Sequence, residues 1–530
     1  MSTAKTKKLI PVDITLDGVY SGKDPFVPEV TGEFVSDKGE KLVIPGFYRG
    51  KGKWSVRFSA EEEGDWTFRI YSDKVKLKGE LSGLVEVKGE QPGVNHMLRT
   101  KGTRFVDSAG RPVFLLGFEC NFLFSMVASP NGHEKLATLV KNIKEGGFNQ
   151  VQINTYAVDS SWFKGRYSDN DYGPPYIDLW NKTDEGRQLN PAFFDNYDYM
   201  IKYLHENGIY AHIYLKVYNK YVELPEKYSD EETTYYYNFV ARYQAYSNII
   251  WDISKEGYYE IDKDYFYAIS SKVRTWDAYK HLHTIHDDLI LSLDKKYSDT
   301  VDFLTIQQHG ECAFASKYFI ERSGKPVVLG ESGNEIDASS PLSSENMTVE
   351  DYCSQAYSAI MSGAYFQYYN LHTSWDVIEY DKIPKGYRYF RQMRDFFSQF
   401  EFEKFKNVHE LAARGAQGEY LDDGESTLLV FIEPAKKFPY HAYTRGGIAP
   451  LNPAYGRKFI SYEAYGIYSG TTTSVEPLTH FTNLNTYELM SDEVKKHLDT
   501  GEHTALKDNI KLKCLREEPT VFVIKYKKAK

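Results

Sequence analysis

Residues 133–154 read HEKLATLVKNIKEGGFNQVQIN, and this stretch carries the pattern that decides the fold. Its first part has the apolar spacing of an amphipathic helix, and FNQVQIN, directly after it, is predicted to be a buried strand. Gly147 stands between them, where a helix commonly ends. The same order of helix, glycine and strand recurs at Gly208 and Gly363. Alternation of helices and strands predicts a parallel sheet covered by helices.

Working outward from this unit, the chain contains eight candidate strands between residues 94 and 404. They are VFLLGF (113–118), FNQVQIN (148–154), IYAHIYL (209–215), NIIWDIS (248–254), HLHTIH (281–286), VDFLTIQ (301–307), KPVVLGE (325–331) and AYFQYYN (364–370). Helical segments lie between several of them. Eight strands alternating with helices predict an α/β fold of the (β/α)8, or TIM, barrel type.

Two all-β modules are predicted to flank the barrel. Residues 1–93 contain short runs of alternating apolar and polar residues, such as KWSVRFSA and DWTFRIYS, separated by turn residues. This pattern is typical of an antiparallel β-sandwich. Residues 405–530 return to short β-like runs, including STLLVFIEPA and TVFVIKYKK, and predict a second sandwich-like domain. We expect both modules to pack against the barrel, and an oligomer contact through them, giving a homo-oligomer, is compatible with the sequence.

Composition excludes several classes of partner and location. Lys and Arg total 64 against 74 Asp and Glu, so a net charge of −10 without a basic run predicts no nucleic-acid partner. No segment approaches the roughly 18 apolar residues of a membrane helix, so no membrane association is predicted. The N-terminus lacks the apolar core of a signal peptide. Together with four cysteines that form no CxxC pair, expected to be reduced thiols, this predicts a cytoplasmic protein.

Two glutamates follow the fourth and seventh predicted strands. Glu256 comes just after NIIWDIS, and Glu331 ends KPVVLGE. Barrel enzymes place their chemistry at the carboxyl ends of the strands. Retaining glycosidases need two carboxyl groups about 5 to 5.5 Å apart, which strand ends across a barrel mouth could supply. Asp252, inside the fourth strand, and Glu119, after the first, are the rival carboxylates.

The two motifs resemble those of clan A glycoside hydrolases. IIWDISKE takes the place of the clan's Asn-Glu ending of the fourth strand, and PVVLGESG is similar to its nucleophile strand. The order of domains resembles the DUF5060, DUF4038-like and DUF5605 architecture related to apiosidase-type barrels, with PGFYRGKGKWSVRFSAEEEGDWTF in the first module and FVDSAGRPVFLLG opening the barrel. The resemblance implies that Glu331 is the nucleophile and Glu256 the acid/base. We expect Glu331 to be ionised and Glu256 to have a raised pKa.

Lys255 departs from the clan pattern. The clan usually has Asn before the acid/base, an amide that bonds the sugar 2-hydroxyl, whereas this chain has a lysine. A lysine could donate to a sugar hydroxyl or to the carboxylate of a uronate. Lys255 is therefore predicted to contact substrate, and an acidic substrate is worth testing.

Other strand ends predict the rest of a carbohydrate pocket. Amide, imidazole and hydroxyl groups can bond sugar hydroxyls, and indole faces stack on sugar rings. Trp375 resembles the clan's aromatic platform after the eighth strand, and Trp162 lies in the long loop after the second. The other predicted substrate contacts are Asn121, Asn154, Tyr156, Tyr218, His286, Gln308 and His309.

A metal site is the main different chemistry for such a barrel. HLHTIHDD places His281, His283, His286, Asp287 and Asp288 close together in sequence. Residues 281, 283 and 285 would face the same side of a strand, but residue 285 is Ile, and the first strand has no matching HxH motif. No metal or other cofactor is expected, since nucleotide-binding and serine-hydrolase motifs are also absent from the sequence. The leading prediction is a retaining glycosidase acting on a terminal bond. A binding protein with altered catalysis and a transglycosylase on the same barrel remain the alternatives.

Overall fold

The structure, a computed structural model, describes most of the 530-residue chain. The described residues are 2–155, 177–183, 186–218, 224–287, 292–337, 339, 345–371, 373, 378–408, 418–434, 436–437, 444–445, 448–451, 457–476, 510–514 and 518–528.

The N-terminal module is a two-sheet sandwich, as predicted. One sheet has the order β1-β9-β7-β3-β4 and the other β5-β6-β2-β8. Side chains of both sheets form one apolar core, in which the rings of Phe34 and Phe58 stack with their centroids 4.4 Å apart. A hairpin, β10-β11, follows before the barrel. The strands are β1 (Ser2–Thr6), β2 (Val12–Val19), β3 (Thr31–Ser36), β4 (Lys41–Pro45), β5 (Phe47–Gly50), β6 (Lys53–Phe58), β7 (Gly64–Tyr71), β8 (Lys76–Lys78), β9 (Ser82–Val87), β10 (Leu98–Lys101) and β11 (Arg104–Asp107).

All eight predicted barrel strands are present. They form one parallel, nearly closed sheet in the order β18-β17-β16-β13-β12-β24-β21-β20-β19. Two short pairs, β14-β15 and β22-β23, lie outside this sheet. The strands are β12 (Leu116–Glu119), β13 (Gln150–Asn154), β14 (Trp180–Thr183), β15 (Gly186–Leu189), β16 (Tyr210–Tyr214), β17 (Ile249–Asp252), β18 (His283–Thr284), β19 (His286–Asp287), β20 (Leu304–Gln307), β21 (Val327–Glu331), β22 (Asn334–Glu335), β23 (Asn346–Met347) and β24 (Tyr365–Tyr368).

The fifth barrel strand is interrupted, which explains nine labelled strands in an eight-strand barrel. β18 pairs with β17 on one side, and β19 pairs with β20 on the other. Only Ile285 separates the two halves, so a single segment joins the fourth strand to the sixth. The barrel prediction is therefore confirmed, with a break that the run HLHTIH did not indicate.

Several helices begin or end at residue types that are typical of helix ends. Ser229 caps α4 by accepting a hydrogen bond from the Glu232 amide, and the predicted stop glycines 147, 208 and 363 have φ angles of +93°, +68° and +96°. The helices are α1 (Leu123–Val127), α2 (Gly132–Glu145), α3 (Pro191–Glu206), α4 (Asp230–Tyr243), α5 (Lys263–Trp276), α6 (Lys295–Thr300), α7 (Cys312–Ser323), α8 (Val349–Met361) and α9 (Gly386–Phe397).

The interior of the barrel is unusually polar. Barrels of this type are commonly filled by Val, Ile and Leu. Here the strand register aligns polar side chains on one face, while Val151 and Ile153 occupy the other. The Gln150 amide lies 2.7 Å from His212 Nδ1, and His212 Nε2 lies 2.7 Å from Asp252 Oδ2. The inward-facing residues include Glu119, Gln150, Gln152, Asn154, His212, Tyr214, Asp252, Thr284, His286 and Thr305.

A buried ion-pair network joins the sandwich to the barrel helices. Arg57 of β6 donates to Asp198 of α3 at 3.0 Å, and Arg242 of α4 donates to the same carboxylate at 2.9 Å. Arg57 also pairs with Asp13 of β2 at 2.7 Å. Burial alone would raise the pKa of Asp198, but the two guanidinium groups outweigh it and hold that pKa well below its usual range.

The C-terminal module is all-β, as predicted, and contains an antiparallel six-stranded sheet of order β25-β26-β27-β34-β31-β32. Two further pairs are β28-β29 and β30-β33. The strands are β25 (Lys406–Asn407), β26 (Glu419–Asp422), β27 (Thr427–Ile432), β28 (Lys436–Lys437), β29 (Thr444–Arg445), β30 (Ile448–Leu451), β31 (Arg457–Gly466), β32 (Thr471–Ser474), β33 (Ile510–Lys513) and β34 (Thr520–Lys528).

The chain divides into two compact units. The first comprises residues 1–307, 323–331 and 367–384, and thus holds the sandwich and most of the barrel sheet. The second comprises residues 308–322, 332–366 and 385–530. Within it, α8 packs on the C-terminal sheet, where the rings of Tyr357 and Phe431 stack at 6.1 Å. The domain boundaries predicted at residues 93 and 404 stay predictions.

Two further findings concern the thiols and the helices. All four cysteines are free thiols, and three of them, Cys120, Cys312 and Cys353, are buried. Among the residues described here, no helix is both long enough and apolar enough to cross a membrane.

Candidate active site

A cluster of charged side chains lies at the carboxyl ends of the barrel strands. Glu119 ends β12, Glu331 ends β21, and Lys255 and Glu256 follow β17. Tyr369 comes directly after β24. All five residues are buried, with Glu256 exposed by 5% and Glu331 by 8%. The predicted pair of glutamates therefore belongs to one end of the barrel, together with a lysine.

The ammonium group of Lys255 is at the centre of this cluster. Its Nζ lies 2.9 Å from Glu119 Oε1, 2.8 Å from the Tyr369 hydroxyl and 3.2 Å from Glu331 Oε2. An ammonium group has three donor hydrogens, so these three oxygens use its whole capacity. Lys255 thus ties the ends of the first, seventh and eighth strands to the fourth.

The charge of Lys255 is maintained by its neighbours. Burial lowers the pKa of a lysine, but the negative charges of Glu119, Glu331 and Glu256 outweigh this effect and raise the pKa of Lys255 above its ordinary value. The lysine is therefore protonated.

The backbone around Lys255 is fixed by the extension of the third strand. The Lys255 amide donates to the Lys216 carbonyl at 2.9 Å, and Lys255 forms a parallel bridge with Val217. Glu256 then adopts φ 54° and ψ 45°, a left-handed conformation that is uncommon for a residue with a side chain. Such conformations are concentrated at functional sites. The turn directs the chain from the end of the fourth strand into a 3-10 turn at Gly257–Tyr259.

Three tyrosines that were not among the predicted site residues contact members of the cluster. The Tyr369 hydroxyl accepts from Lys255 and donates to Glu331 Oε2 at 3.2 Å. The pKa of Tyr258 is raised, first by burial and then by the charge of Glu256, to which it is also hydrogen-bonded. Tyr214 lies beneath the ammonium of Lys255, 5.7 Å from Nζ to the ring centroid. Tyr369 lies at the end of a predicted strand, and this position was the signal available for it.

The rival carboxylates have other partners. Asp252 faces His212, and its second oxygen accepts from the backbone amides of Ser254 and His286 at 3.1 and 3.3 Å. Burial raises the pKa of Asp252 against these hydrogen bonds. Both oxygens of Asp252 therefore have partners inside the barrel. Glu119, in contrast, belongs to the cluster itself, where it also accepts from the Asn121 amide.

Four predicted substrate contacts can be placed relative to the cluster. Asn121 is bound to Glu119, and the ring of His286 lies 3.3 Å from the Tyr214 hydroxyl. Asn154 is buried, and neither polar atom of its side chain has a hydrogen-bond partner within the described chain. It is thus suited to a ligand. Tyr218 donates instead to Glu260 at 2.7 Å.

The other five predicted contacts belong to the second compact unit or lie outside the described residues. Gln308 and His309 belong to the second compact unit, where the Gln308 amide donates to the His309 carbonyl at 3.3 Å. Tyr156, Trp162 and Trp375 lie outside the described residues. Their predicted roles in the pocket stay predictions.

The histidine-rich segment after residue 280 serves the structure of the barrel. His281 lies 3.0 Å from an oxygen of Asp277 and 3.0 Å from the Tyr246 carbonyl. His283 is buried on the outward face beside Trp251, and burial lowers its pKa to about 3. In the described part of the chain, no three His, Cys, Asp or Glu side chains are grouped so as to hold a metal ion.

The barrel, with two glutamates at the carboxyl ends of its strands, has the fold of the glycoside hydrolase class. The model of the apiosidase-like catalytic domain matches residues 99–411, more than half of the 530-residue chain, and the chain belongs to this family. Residues 5–73 match DUF5060, a domain of unknown function. The resemblance to apiosidase-type barrels with a DUF5060 module is confirmed, whereas the DUF4038-like and DUF5605 assignments stay predictions.

Solved structures share the fold. A proposed glycoside hydrolase from Bacteroides vulgatus is similar over 99% of this chain and 100% of its own, with a TM-score of 0.69 and 17% identity. A family 5 glycoside hydrolase from the same organism is similar over 81% of this chain and 93% of its own, with a TM-score of 0.55 and 16% identity. No curated protein matches the sequence.

Proposed function

We propose that the chain is a retaining glycoside hydrolase that cleaves a terminal glycosidic bond, with Glu331 as nucleophile and Glu256 as general acid/base. One observation carries this proposal: the ammonium of Lys255 contacts the Glu331 carboxylate at 3.2 Å, and the next residue in the chain, Glu256, is buried at the same end of the barrel. A carboxylate held by donors is suited to attack, and a second carboxyl group nearby is suited to proton transfer. Membership of the apiosidase-like family supports the class.

In the first step, a Glu331 oxygen attacks the anomeric carbon as the bond to the leaving oxygen breaks. Glu256 gives its proton to that oxygen, so the alcohol leaves neutral and Glu256 becomes a carboxylate. The product is a glycosyl ester on Glu331. The hydrogen bond from Tyr369 and the ion pair with Lys255 orient the attacking carboxylate.

In the second step, Glu256 acts as a base. It takes a proton from water, the water oxygen bonds to the anomeric carbon, and the ester bond to Glu331 breaks. The sugar leaves with its original configuration, Glu331 regains its negative charge, and Glu256 regains its proton. Two inversions at one carbon give net retention.

A terminal bond is favoured by the length of chain beyond the second barrel strand. Residues 155–190 separate β13 from α3, and a segment of this length can restrict a barrel mouth to a pocket. The side-chain amide of Asn154, which has no hydrogen-bond partner among the described residues, can bond a sugar hydroxyl. The family's name makes an apioside the first glycoside to test.

The test is hydrolysis of aryl glycosides of both anomers, including apiosides, other furanosides, pyranosides and uronides. We expect wild type to release the aryl alcohol from one of them, Glu331→Ala to lose this activity, and Glu256→Ala to regain part of it with azide. NMR of the first sugar released should show the anomer of the substrate. The opposite anomer would disprove a retaining mechanism.

Two other outcomes would support different functions. A sugar that raises the melting temperature of wild type without being cleaved would indicate a binding protein with altered catalysis. Transfer of the glycosyl group to an added alcohol in preference to water would indicate a transglycosylase. Lys255 is the feature that makes the first alternative worth testing, since it replaces the clan's usual amide.

A further inference from the structure

The lysine before the predicted acid/base has no donor left for a sugar. Its three hydrogens face Glu119 Oε1, the Tyr369 hydroxyl and Glu331 Oε2 at distances of 2.9, 2.8 and 3.2 Å. Its side chain is 1% exposed. A uronate carboxylate could bind Lys255 only by displacing one of these partners. The geometry thus favours a role inside the protein over the direct substrate contact predicted from the sequence.

Glu119 and Glu331 approach each other because they share this lysine. Glu119 Oε1 lies 2.9 Å and Glu331 Oε2 lies 3.2 Å from the same nitrogen, so the two oxygens cannot be further apart than these two distances together. Both carboxylates are buried. Without the ammonium, two like charges at this separation in a buried setting would repel, and one would take up a proton. Lys255 is therefore the positive charge that both carboxyl groups share.

We propose that Lys255 is a positioning residue, which holds Glu331 ionised and oriented for attack, and that Glu119 retains the ammonium when Glu331 becomes an ester. This inference rests on the proposed function of Glu331. In the glycosyl-enzyme intermediate, Glu331 carries no charge, and Lys255 would be left buried without that counter-ion. Glu119 and Tyr369 still bind it, so the ammonium is in place when Glu331 regains its charge.

The charge balance of the cluster has a consequence for the substrate. Glu119 and Glu331 carry two negative charges and Lys255 one positive charge, so these three residues have a net charge of −1 before Glu256 is counted. A negative site stabilises the positive charge that develops on the sugar ring in the transition state. The cluster is therefore suited to a sugar that becomes positively charged at its anomeric carbon.

The experiment compares Lys255→Met, Glu119→Gln and the double variant, with Lys255→Arg as the variant that conserves charge. The pH dependence of kcat/KM is measured on the aryl glycoside that wild type cleaves. In Lys255→Met we expect the acidic limb to move up by about one pH unit or more, because one of two facing carboxyl groups takes up a proton. We expect kcat to fall about 100-fold, with KM changed by less than about threefold.

The double variant separates the possible roles of Lys255. Replacing Glu119 by Gln removes one of the two like charges. We therefore expect the acidic limb of the kcat/KM profile in the double variant to lie close to that of Glu119→Gln alone. Lys255→Arg keeps the positive charge, so its acidic limb should match that of wild type. A large rise of KM in Lys255→Met, with an unmoved limb and no rescue by Glu119→Gln, would overturn the proposal in favour of substrate contact.

A stability measurement tests the same coupling without any substrate. Chemical unfolding of the same variants, and of Lys255→Met combined with Glu331→Gln, is followed near pH 5 and pH 7. We expect Lys255→Met to lose more stability at the higher pH, and either carboxamide substitution to reduce the difference. Equal losses at both pH values would contradict the proposed charge coupling. An absence of glycosidase activity in wild type, or full activity in Glu331→Ala, would instead reject the proposed function.

Discussion

The hydroxyl of Tyr369 lies between two charged groups, accepting a hydrogen bond from Lys255 at 2.8 Å and donating one to Glu331 at 3.2 Å. This tyrosine follows the eighth barrel strand, and the glutamate ends the seventh. The hydroxyl therefore fixes the direction of the predicted nucleophile relative to the ion pair that holds it.

Removing this hydroxyl should reduce catalysis without unfolding the barrel. A hydrogen bond to a charged group contributes about 1.5 to 3 kcal/mol, so we expect Tyr369→Phe to lower kcat/KM by about 10- to 100-fold. Tyr243→Phe is the matched control. Tyr243 is equally buried, and its hydroxyl has no hydrogen-bond partner among the residues the structure describes. Equal rates for both variants would show that Tyr369 does not orient Glu331.

Glycine at position 256 should be better tolerated by the backbone than alanine. The left-handed conformation of Glu256 costs about 1 to 2 kcal/mol for a residue with a Cβ, and this cost is absent for glycine. We expect Glu256→Gly to be about 1 kcal/mol more stable than Glu256→Ala in urea unfolding, although both lack the acid/base. A more stable alanine variant would contradict the strained turn.

The ion pairs between the sandwich and the barrel should be important for stability. Asp198 is bound by both Arg57 and Arg242, and removing one partner of a buried ion pair costs about 3 to 5 kcal/mol. We expect Asp198→Ala to lose stability of this order. Asp195, on the same helix, is 65% exposed and lies 3.9 Å from Arg242, so Asp195→Ala should change stability by less than about 0.5 kcal/mol. Similar losses of stability in the two variants would show that the ion pairs of Asp198 are not important for stability.

His205 should make the protein less stable in acid. Burial lowers the pKa of His205 to about 4 from an ordinary value near 6.5. The native state keeps this imidazole neutral while the unfolded chain takes up a proton, so stability is present above about pH 6.5 and is lost as the pH falls toward 4. Over the interval from about pH 6.5 to 5, the loss is about 2 kcal/mol.

The measurement for His205 is the free energy of unfolding across this interval, in wild type and in His205→Gln. The glutamine amide can reach Ser247, whose hydroxyl lies 3.1 Å from His205 Nε2, but it does not titrate. We expect a shallower pH dependence in the variant. An unchanged slope would mean that other groups account for the acid sensitivity.

Much of the barrel could be predicted from the sequence because its signals are local. Each strand is a short apolar run, and Gly147, Gly208 and Gly363 mark the turn from helix to strand within a few residues. The interruption of the fifth strand could not be predicted in this way. The residues before Ile285 pair with the fourth strand and those after it pair with the sixth, and both of these strands lie elsewhere in the sequence.

The candidate site was predictable in position but not in its contacts. The sequence predicts Glu256 and Glu331 to follow barrel strands, and the structure places both at the carboxyl ends of such strands. The partners of Lys255 lie 136 residues away at Glu119 and 114 residues away at Tyr369, and no local pattern relates these positions. A lysine beside a glutamate therefore indicated a substrate contact, whereas the closed barrel brings it to other strand ends.

The polar interior of the barrel has a consequence for protein engineering. In an aliphatic core, a substitution succeeds when the new side chain has a suitable volume. Here the chain of contacts from Gln150 through His212 to Asp252 requires each neighbour to supply a hydrogen where the other supplies a lone pair. A redesigned interior would have to conserve the direction of every donor across adjacent strands, so residues would be exchanged in matched pairs and not singly.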